Sequence, residues 1–434
     1  MSPEIIGVIG LIVLFVFVFA RMPIALSLSF VGFLGLAWLS GIKGTLYQIG
    51  MVPYTSTAHY AFCVVPLFIL MGHYAFISGL TNDAYDFAHA LLGRLPGGLA
   101  MSTIGASAGF AACTGSSLAS AATMTKVALP EMRRYEYDPK LATGSIAAGG
   151  TLGILIPPSA GMIYYALITD TSIGKLFIAG IFSGILLSCL FILTIYIVVR
   201  IKPEKGPPGP KASWRNVLNA FKGIWSAVIL SALVMGGIWG GVFSPTEAGG
   251  IGSFAAFLIV LMKRGFIKEE LIKGLWETVR TTSMIFLILI GATIFGYFIT
   301  ASHLPEVTVG FIEHLALPPL VILIIILLIL VFLGCVMDIP TITFVMVPIF
   351  FPIIRALGFD PVWFGILFTI NSEMALITPP IGMNVFVVAG VVEDIPVYEI
   401  FKGIVPFVVA MAICTALIIA FPQIALFLPN TMLK

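Results

Sequence analysis

The chain has 434 residues, of which 59% are hydrophobic and 10% are charged, and its formal net charge is +2. Soluble domains carry about 25% charged residues, so this composition excludes an ordinary soluble protein and predicts an integral membrane protein. No stretch interleaves basic residues with aromatics, so nothing in the sequence indicates a nucleic-acid partner.

Apolar runs of roughly the 20 residues needed to cross a bilayer recur along the chain. Some are expected to be re-entrant rather than spanning. The first run lacks a basic leader and a cleavage motif, so it is predicted to be a retained span. The runs cover residues 3–20, 24–39, 58–79, 141–168, 174–199, 221–242, 248–262, 281–300, 317–334, 362–392 and 401–421.

The first half contains three further elements. Residues 81–94 are polar and amphipathic, which indicates a helix lying at the membrane interface. Residues 105–130 are dense in glycine, alanine and serine and predict a re-entrant hairpin with its tip at 114–117. Small residues allow close helix approach in membranes. Hydroxyls and unwound carbonyls at such a tip are hard oxygen ligands, suited to a dehydrated alkali cation.

A proline pair interrupts the next apolar run, in the sequence GGTLGILIPPS at 149–159. Each proline inside a helix costs roughly 3 kcal/mol or more. Hydrocarbon offers no water to the freed carbonyls, so we predict a deliberate break that exposes backbone oxygens and amides at mid-membrane. Thr151 and Thr378 each offer a hydroxyl beside a proline pair, although a threonine that bonds back to its own helix is an equally good interpretation for either one.

The middle of the chain is polar. Residues 201–222 are rich in proline and basic residues, which predicts a linker between two apolar halves, placed in the cytoplasm by the positive-inside rule. Ser244 and Glu247 have the spacing of a capping box and Pro245 suits a first helical turn, so Glu247 is interpreted as structural.

A second re-entrant hairpin is predicted at 333–348. Asp338 is an ionisable residue in an apolar run, which indicates a functional site, and we predict that it binds an ion. It also fits an N-cap for a helix restarting at Pro340, and both roles are compatible because such ion sites are made of helix ends. Glu373 follows, and three interpretations stay open: an ion ligand, a proton carrier, or a buried residue paired with a neighbouring amide.

The two halves resemble each other. Asp-Pro at 138–139 recurs at 360–361, and Pro-Pro at 157–158 recurs at 379–380, both at an offset of 222 residues. Several basic residues precede the first unit but only Arg355 precedes the second, so the units are predicted to have opposite orientations. Inverted repeats with broken helices near the midplane are typical of secondary transporters.

Signatures of enzymatic and cofactor chemistry are missing. The five cysteines and five histidines form no metal or disulfide motif, and no phosphate-binding loop occurs. GASAG at 105–109 matches the serine-hydrolase pattern, but it lies in a small-residue membrane helix with no histidine between His89 and His303. We predict that the chain is not an enzyme; reaction of Ser107 with a serine-directed probe would support the alternative of an intramembrane hydrolase.

Eight motifs occur in order along nearly the whole chain. They are VPLFILMGHYAFISG (65–79), GRLPGGLA (93–100), TGSSLASAATM (114–124), LPEMRRYEYDP (129–139), GGTLGILIPPS (149–159), SIGKLFIAGI (172–181), FSPTEAGG (243–250), and FDPVWFGI with TPPIGMNVFV (359–387). Together they resemble the large membrane subunit, DctM-like, of tripartite ATP-independent periplasmic (TRAP) transporters.

The resemblance implies a sodium-driven importer of a small organic acid in the bacterial inner membrane, working as an elevator. It implies two partners besides the lipid bilayer: a periplasmic solute-binding protein that delivers the substrate, and a small four-helix membrane subunit, expected on a separate chain. Na+ is the implied coupling ion, with no other cofactor. The alternatives are a stand-alone ion-coupled anion symporter, which would need no binding protein, and a channel, which would show conductance without uphill accumulation.

The resemblance also implies site residues. The first sodium site falls on Ser116, Ser117, Gly149, Gly150 and Thr151, and the second on Gly334, Asp338 and Thr378. Residues implied at or near the substrate are Ser120, Pro157, Asn371, Glu373, Pro379 and Asn384. Many family members carry aspartate in place of Ser120 and glycine in place of Ala375, so this chain departs from the family near both ion sites.

The expected fold is an all-α membrane protein of the inverted-repeat elevator type, with two re-entrant hairpins and two discontinuous helices. The expected divisions are scaffold helices and an interfacial arm at 1–95, a first transport repeat at 96–200 broken at 149–159, the linker at 201–222, second scaffold helices and arm at 223–316, and a second transport repeat at 317–434 broken at 371–382.

Overall fold

The computed structural model describes residues 2–209, 214–314, 317–392 and 394–432. These residues form twenty α-helices and two short 3-10 turns, with no strand among them. Seven helices in the described part are long and apolar enough to cross a membrane, and a bent helix pair would make an eighth span. The all-α, multi-pass membrane class is therefore confirmed.

The helices are numbered in chain order. They are α1 (Pro3–Phe19), α2 (Ile24–Ser40), α3 (Ile42–Thr55), α4 (Val64–Ile77), α5 (Leu80–Leu92), α6 (Gly98–Thr114), α7 (Ser117–Arg134), α8 (Pro139–Leu155), α9 (Ala160–Thr169), α10 (Ile173–Ile201), α11 (Trp214–Trp239), α12 (Pro245–Arg264), α13 (Lys268–Ala301), α14 (Leu304–His314), α15 (Pro319–Gly334), α16 (Ile339–Ala356), α17 (Pro361–Ile377), α18 (Met383–Val391), α19 (Val397–Ala420) and α20 (Gln423–Asn430).

The order of elements in α6–α10 is repeated in α15–α19. Each unit consists of a helical hairpin, a helix that ends before a proline pair, a short helix and a long helix. The repeated Asp-Pro dipeptides begin α8 and α17 in the same way. Asp138 Oδ1 accepts from two backbone amides at 2.8 and 3.3 Å, and Asp360 Oδ1 accepts from two at 2.8 and 3.0 Å. The sequence repeat thus reflects two equivalent N-caps followed by proline.

Contacts between the units show that they run in opposite directions. Lys140 at the start of α8 forms an ion pair of 2.9 Å with Glu399, in the helix that follows α18. The Tyr165 hydroxyl, in the helix that follows α8, donates to the Pro361 carbonyl at 2.8 Å, at the start of α17. The start of α8 therefore lies beside the start of α19, and the start of α17 lies beside α9, as antiparallel repeats require.

The segment after α10 lies against the first repeat. Gly97 N donates to Gly206 O at 2.8 Å, and Asp138 N donates to Lys205 O at 3.0 Å. These contacts place the first part of the predicted linker at the same end of the molecule as the start of α8. Residues 210–213 of that linker lie outside the described residues.

The helices outside these two units also pack in pairs, each pair with one helix from either half of the chain. Helix α2 packs along α13, and α4 packs along α12. Helix α4 also contacts the first hairpin, because a Cβ on Gly72 would lie 3.1 Å from the Cys113 carbonyl oxygen. This arrangement places α4 and α13 next to the predicted transport elements; the domain boundaries stay a prediction.

The capping box at the start of α12 is confirmed. Ser244 N donates to the Glu247 carboxylate at 2.8 Å, and Glu247 N donates to Ser244 Oγ at 3.3 Å. Glu247 is thereby engaged in holding a helix end, as the sequence predicts.

We expect Ser244→Ala to lower the free energy of unfolding by about 1 kcal/mol, because the N-cap is lost. Thermal denaturation of the purified protein measures this change. Ser29→Ala is the matched control, since the Ser29 hydroxyl only donates to the Ala25 carbonyl within its own helix. Loss of the sodium response in Ser244→Ala would contradict a purely structural role.

Candidate functional site between the hairpin tips

The first hairpin turns over two residues. Helix α6 ends at Thr114, and Gly115 then takes the left-handed conformation with φ +61°, which favours glycine. Ser116 is the N-cap of α7, and its Oγ accepts from Ala119 N at 3.4 Å. The turn therefore lies within the predicted tip at 114–117.

The second hairpin turns over residues 335–338. Asp338 Oδ1 accepts from Thr341 N at 3.0 Å, so Asp338 is the N-cap of α16. The helix begins at Ile339, with Pro340 in its first turn. The half-buried carboxylate uses one oxygen for this cap. The capping interpretation holds, and the second oxygen is left for other contacts.

The two breaks are narrower than the sequence predicts. Helix α8 continues to Leu155 and α9 starts at Ala160, so the first break covers 156–159, with a cis Pro157–Pro158 bond and a 41° bend. The second covers 378–382, with a cis Pro379–Pro380 bond. The expectation that Gly149, Gly150 and Thr151 lie in the break is corrected, since all three are inside α8. Asn371 and Glu373 likewise lie inside α17.

Each tip is hydrogen-bonded to the break of its own repeat. Ala160 N donates to Gly115 O at 3.5 Å, and Gly382 N donates to Cys335 O at 3.3 Å. Ala160 and Gly382 occupy equivalent positions after the two proline pairs. Each hairpin and the following broken helix thus form one unit of adjoining helix ends, which is the kind of site that secondary transporters use for ions.

The glycines of α8 allow the first hairpin to approach. A Cβ on Gly153 would lie 2.6 Å from Ser116 O, and one on Gly150 would lie 2.8 Å from the Ala121 Cβ. A Cβ on Gly149 would lie 2.7 Å from Ser107 Oγ. These distances are too short for any side chain larger than hydrogen. The glycines of α8 therefore allow α6 and α7 to pack closely against α8, and they do not interrupt the helix. Gly153 was not among the predicted site residues, although its spacing from Gly149 already indicated a small-residue face.

The two predicted threonine ligands bond back to their own helices. Thr151 Oγ1 donates to Ala148 O at 2.6 Å, and Thr378 Oγ1 donates to Met374 O at 2.7 Å. This is the alternative interpretation considered for them. A hydroxyl that donates its proton keeps oxygen lone pairs, so both threonines can still accept from a donor or contact a cation.

A cavity of about 480 Å³ lies between the two tips. Its polar lining includes Ser116, Ser117 and Asp338. Its apolar lining includes residues of both repeats and of α4, among them Phe76, Ile154, Tyr164, Ile339, Leu376 and Met383. The structure thus brings Ser116 and Ser117 of the first hairpin and Asp338 of the second to the same cavity, which is large enough for a small solute.

The residues implied near the substrate do not line this cavity. Asn371 donates to Leu367 O at 2.7 Å, Pro157 is buried, and Pro379 is exposed. Ser120, Glu373 and Asn384 are each 0% exposed, and their side-chain polar atoms have no hydrogen-bond partner among the described residues. The interpretation of Glu373 as paired with a neighbouring amide is therefore wrong.

A second cavity of about 670 Å³ adjoins the first and shares His73, Phe76, Ala122 and Thr123 with it. It extends along α7, away from the tip, and its charged lining residues are Lys126, Arg264, Glu270, Lys273 and Glu277. The cavity between the tips, here called the central cavity, is therefore followed by a second cavity toward the end of the molecule where α7 finishes, which sequence reasoning did not predict.

Comparisons with known proteins show which family the chain resembles along most of its length. A family model described as "Tripartite ATP-independent periplasmic transporter, DctM component" matches residues 11–424. The C4-dicarboxylate TRAP transporter large permease protein DctM of Pseudomonas aeruginosa is 35% identical over 379 residues, covering 87% of this chain and 88% of that protein. The sialic acid TRAP transporter large permease protein SiaM of Vibrio cholerae is 34% identical over 438 residues, covering 100% and 99%.

The fold is also similar to that of the solved YdaH transporter of Alcanivorax borkumensis. The TM-score is 0.67, with 15% sequence identity, 89% of this chain covered and 91% of that chain. At this identity the likeness concerns the fold alone.

Proposed function

Because the chain belongs to the DctM family of TRAP transporter large permease subunits, we propose that it imports a small organic acid, a carboxylate, driven by a sodium gradient. A periplasmic solute-binding protein delivers the acid, and a small four-helix membrane subunit completes the scaffold. The protein resides in the bacterial inner membrane, with residues 201–222 in the cytoplasm and both hairpins re-entrant. The names of two matched relatives, a C4-dicarboxylate and a sialic acid transporter, support an acid as the solute.

The observation that carries this proposal is the cavity between the two hairpin tips, which joins Ser116 and Ser117 to Asp338. The groups present suit sodium, because carboxylate, hydroxyl and freed backbone oxygens are the ligands that broken-helix sites offer to Na+. Ser116, Ser117 and Thr151 would hold one ion, and Asp338, Thr378 and the carbonyl of Gly334 the other.

The coupling between sodium and the solute follows from the negative charge of Asp338 beside the cavity. Without a bound cation, the Asp338 carboxylate faces the cavity and repels an anionic solute across a site of low dielectric constant. Sodium binding at the tips cancels this repulsion and fixes amides and hydroxyls to receive the solute carboxylate. An isolated carboxylate is also costly to carry through hydrocarbon, so the anion moves with its counter-charge already bound.

The transport step is proposed to be an elevator movement of α6–α10 and α15–α19 against the scaffold. The boundary between them is loosely packed at both ends, which supports such sliding. At one end lies the 670 Å³ cavity between α7 and the scaffold helices α4 and α13. At the other lies a cavity of about 1400 Å³ between the α9 and α16 side and the scaffold helices α13 and α14.

Uptake by proteoliposomes tests the proposal. The chain is reconstituted with its small subunit and binding protein, and labelled C4-dicarboxylate and sialic acid serve as the first probes. We expect accumulation under an inward sodium gradient and none when potassium replaces sodium. Uptake that continues unchanged without the gradient contradicts sodium coupling, and gradient-driven uptake without the binding protein supports a stand-alone symporter instead.

A further inference from the structure

Glu373 is a buried carboxylate that no described residue satisfies. It lies within α17, is 0% exposed, and both of its oxygens lack a hydrogen-bond partner among the described residues. None of the ion pairs formed by the described residues includes it. Buried polar groups are almost always paired, so an orphan of this kind indicates a ligand that completes it.

The nearest polar group comes from the other repeat. The Ser117 hydroxyl, at the start of α7, lies close enough to interact with the Glu373 carboxylate, although the two do not meet hydrogen-bond geometry. A hydroxyl oxygen and a carboxylate that lie near each other without a direct hydrogen bond are two oxygen ligands that a small cation can share. Ser117 also lines the central cavity, so this space adjoins the proposed solute site.

Two more unsatisfied groups come from the same elements. Ser120 lies three residues after Ser117 on α7, on the same helix face, and its buried hydroxyl has no partner in the described chain. Asn384 begins α18, which packs along α7, and both of its amide atoms are buried and unpartnered in the described chain. Twelve buried side-chain atoms of the described residues lack partners, and six belong to Ser117, Ser120, Glu373 and Asn384. Such concentration points to one missing ligand rather than to scattered packing defects.

We propose that Glu373, Ser117, Ser120 and Asn384 hold a monovalent cation, Na+, in a site built from both repeats, with Glu373 as its anionic ligand. This inference rests on the proposed function and deepens it. Ser117 is also a ligand expected for the first sodium site, so the two sets of residues describe one site. The other ligands expected there, Ser116 and residues 149–151, are neutral, and Glu373 supplies the negative charge that the site otherwise lacks.

The ligand chemistry selects the ion. Two carboxylate oxygens, two hydroxyls and one amide oxygen are hard ligands, which do not favour transition metals that prefer sulfur or imidazole. Mg²⁺ keeps several waters and requires octahedral geometry, which a site whose ligands are at most 1% exposed does not offer. A single carboxylate balances a single positive charge.

The site also gives a reason for obligatory coupling. An ionised carboxylate without a partner is costly in a buried site, so the bound cation and the ionised form of Glu373 stabilise each other. Because Ser117 also borders the cavity, the cation lies beside the proposed solute site. The loaded site therefore presents no net negative charge to an anionic solute.

Equilibrium binding of ²²Na⁺ to the purified chain with its small subunit tests the inference, using Glu373→Gln. We expect the sodium affinity of the first site to fall by at least about tenfold. Glu247→Gln is the matched control, because it makes the same chemical change at a capping position and should bind sodium as the unaltered chain does. The double variant Ser120→Asp with Glu373→Gln places a carboxylate on α7 in place of the one lost from α17. We expect sodium binding to recover in this variant.

Thermal stability separates the possible outcomes. In sodium-free buffer, Glu373→Gln is expected to be as stable as the unaltered protein or more so, because an unpaired charge is removed, and the sodium-dependent rise in melting temperature should shrink. Unchanged sodium affinity in Glu373→Gln, or a variant that fails to fold without sodium, would overturn the inference. If the unaltered chain shows no sodium response at all, the proposed function itself fails.

Discussion

Asp338→Asn is expected to remove the sodium dependence of transport while leaving the fold intact. Asparagine is as good an N-cap as aspartate, so its side-chain oxygen can still accept from Thr341 N, as Asp338 Oδ1 does at 3.0 Å. The negative charge beside the cavity is lost. We expect sodium affinity to fall by at least about tenfold, equivalent to about 1.4 kcal/mol, measured by ²²Na⁺ binding and by sodium-driven uptake.

Asp360→Asn is the matched control for this variant. Asp360 is also the N-cap of a helix that starts with proline, and its Oδ1 accepts from two amides. It does not line the cavity between the tips. Sodium affinity at the level of the unaltered chain in Asp338→Asn would refute the assignment of Asp338 as an ion ligand, whereas equal losses in both variants would indicate a capping effect.

Gly153→Ala is expected to impair the first hairpin. The added Cβ would lie 2.6 Å from Ser116 O and 3.0 Å from the Ser117 Cα, and both neighbours are backbone atoms that cannot rotate away. The tip must therefore move from α8. Overpacking of this kind costs about 1–3 kcal/mol, so we expect a lower melting temperature. Because Ser116 and Ser117 move, sodium affinity should fall as well.

Gly109→Ala is the control for this second variant. Gly109 is also a helical glycine of the first repeat, but its added Cβ would meet the Ala84 Cβ at 3.5 Å, an ordinary contact. Alanine favours a helix over glycine by roughly 1 kcal/mol, so this variant should be as stable as the unaltered chain or more so. A Gly153→Ala variant with unchanged stability and sodium binding would show that close contact between α8 and the tip is not required.

Features that depend on neighbouring residues were predictable from the sequence. The repeated Asp-Pro dipeptides predicted equivalent helix starts, and Asp138 and Asp360 cap α8 and α17 in the same way. The proline pairs located both breaks, because proline at such positions cannot continue a helix. Asp338 was recognisable as the cap of the second hairpin for the same local reasons.

Features that depend on contacts between distant segments were not predictable. The GGT sequence at 149–151 was assigned to a break because glycine can serve either flexibility or close packing, and only the tertiary contact with α6 and α7 decides between them. The proximity of Glu373 to Ser117 joins opposite repeats and leaves no periodic signal in either segment. The central cavity exists only where both hairpins meet, so no single stretch of sequence describes it.

The most direct test of sodium binding at the hairpin tips is electron cryomicroscopy of the complex with its small subunit, in sodium chloride and in choline chloride. We predict ion density in sodium beside the Asp338 carboxylate at one tip and between Ser117 and Glu373 at the other, with both densities missing in choline. Maps without ion density at either tip in saturating sodium, or identical maps in the two salts, would contradict the account.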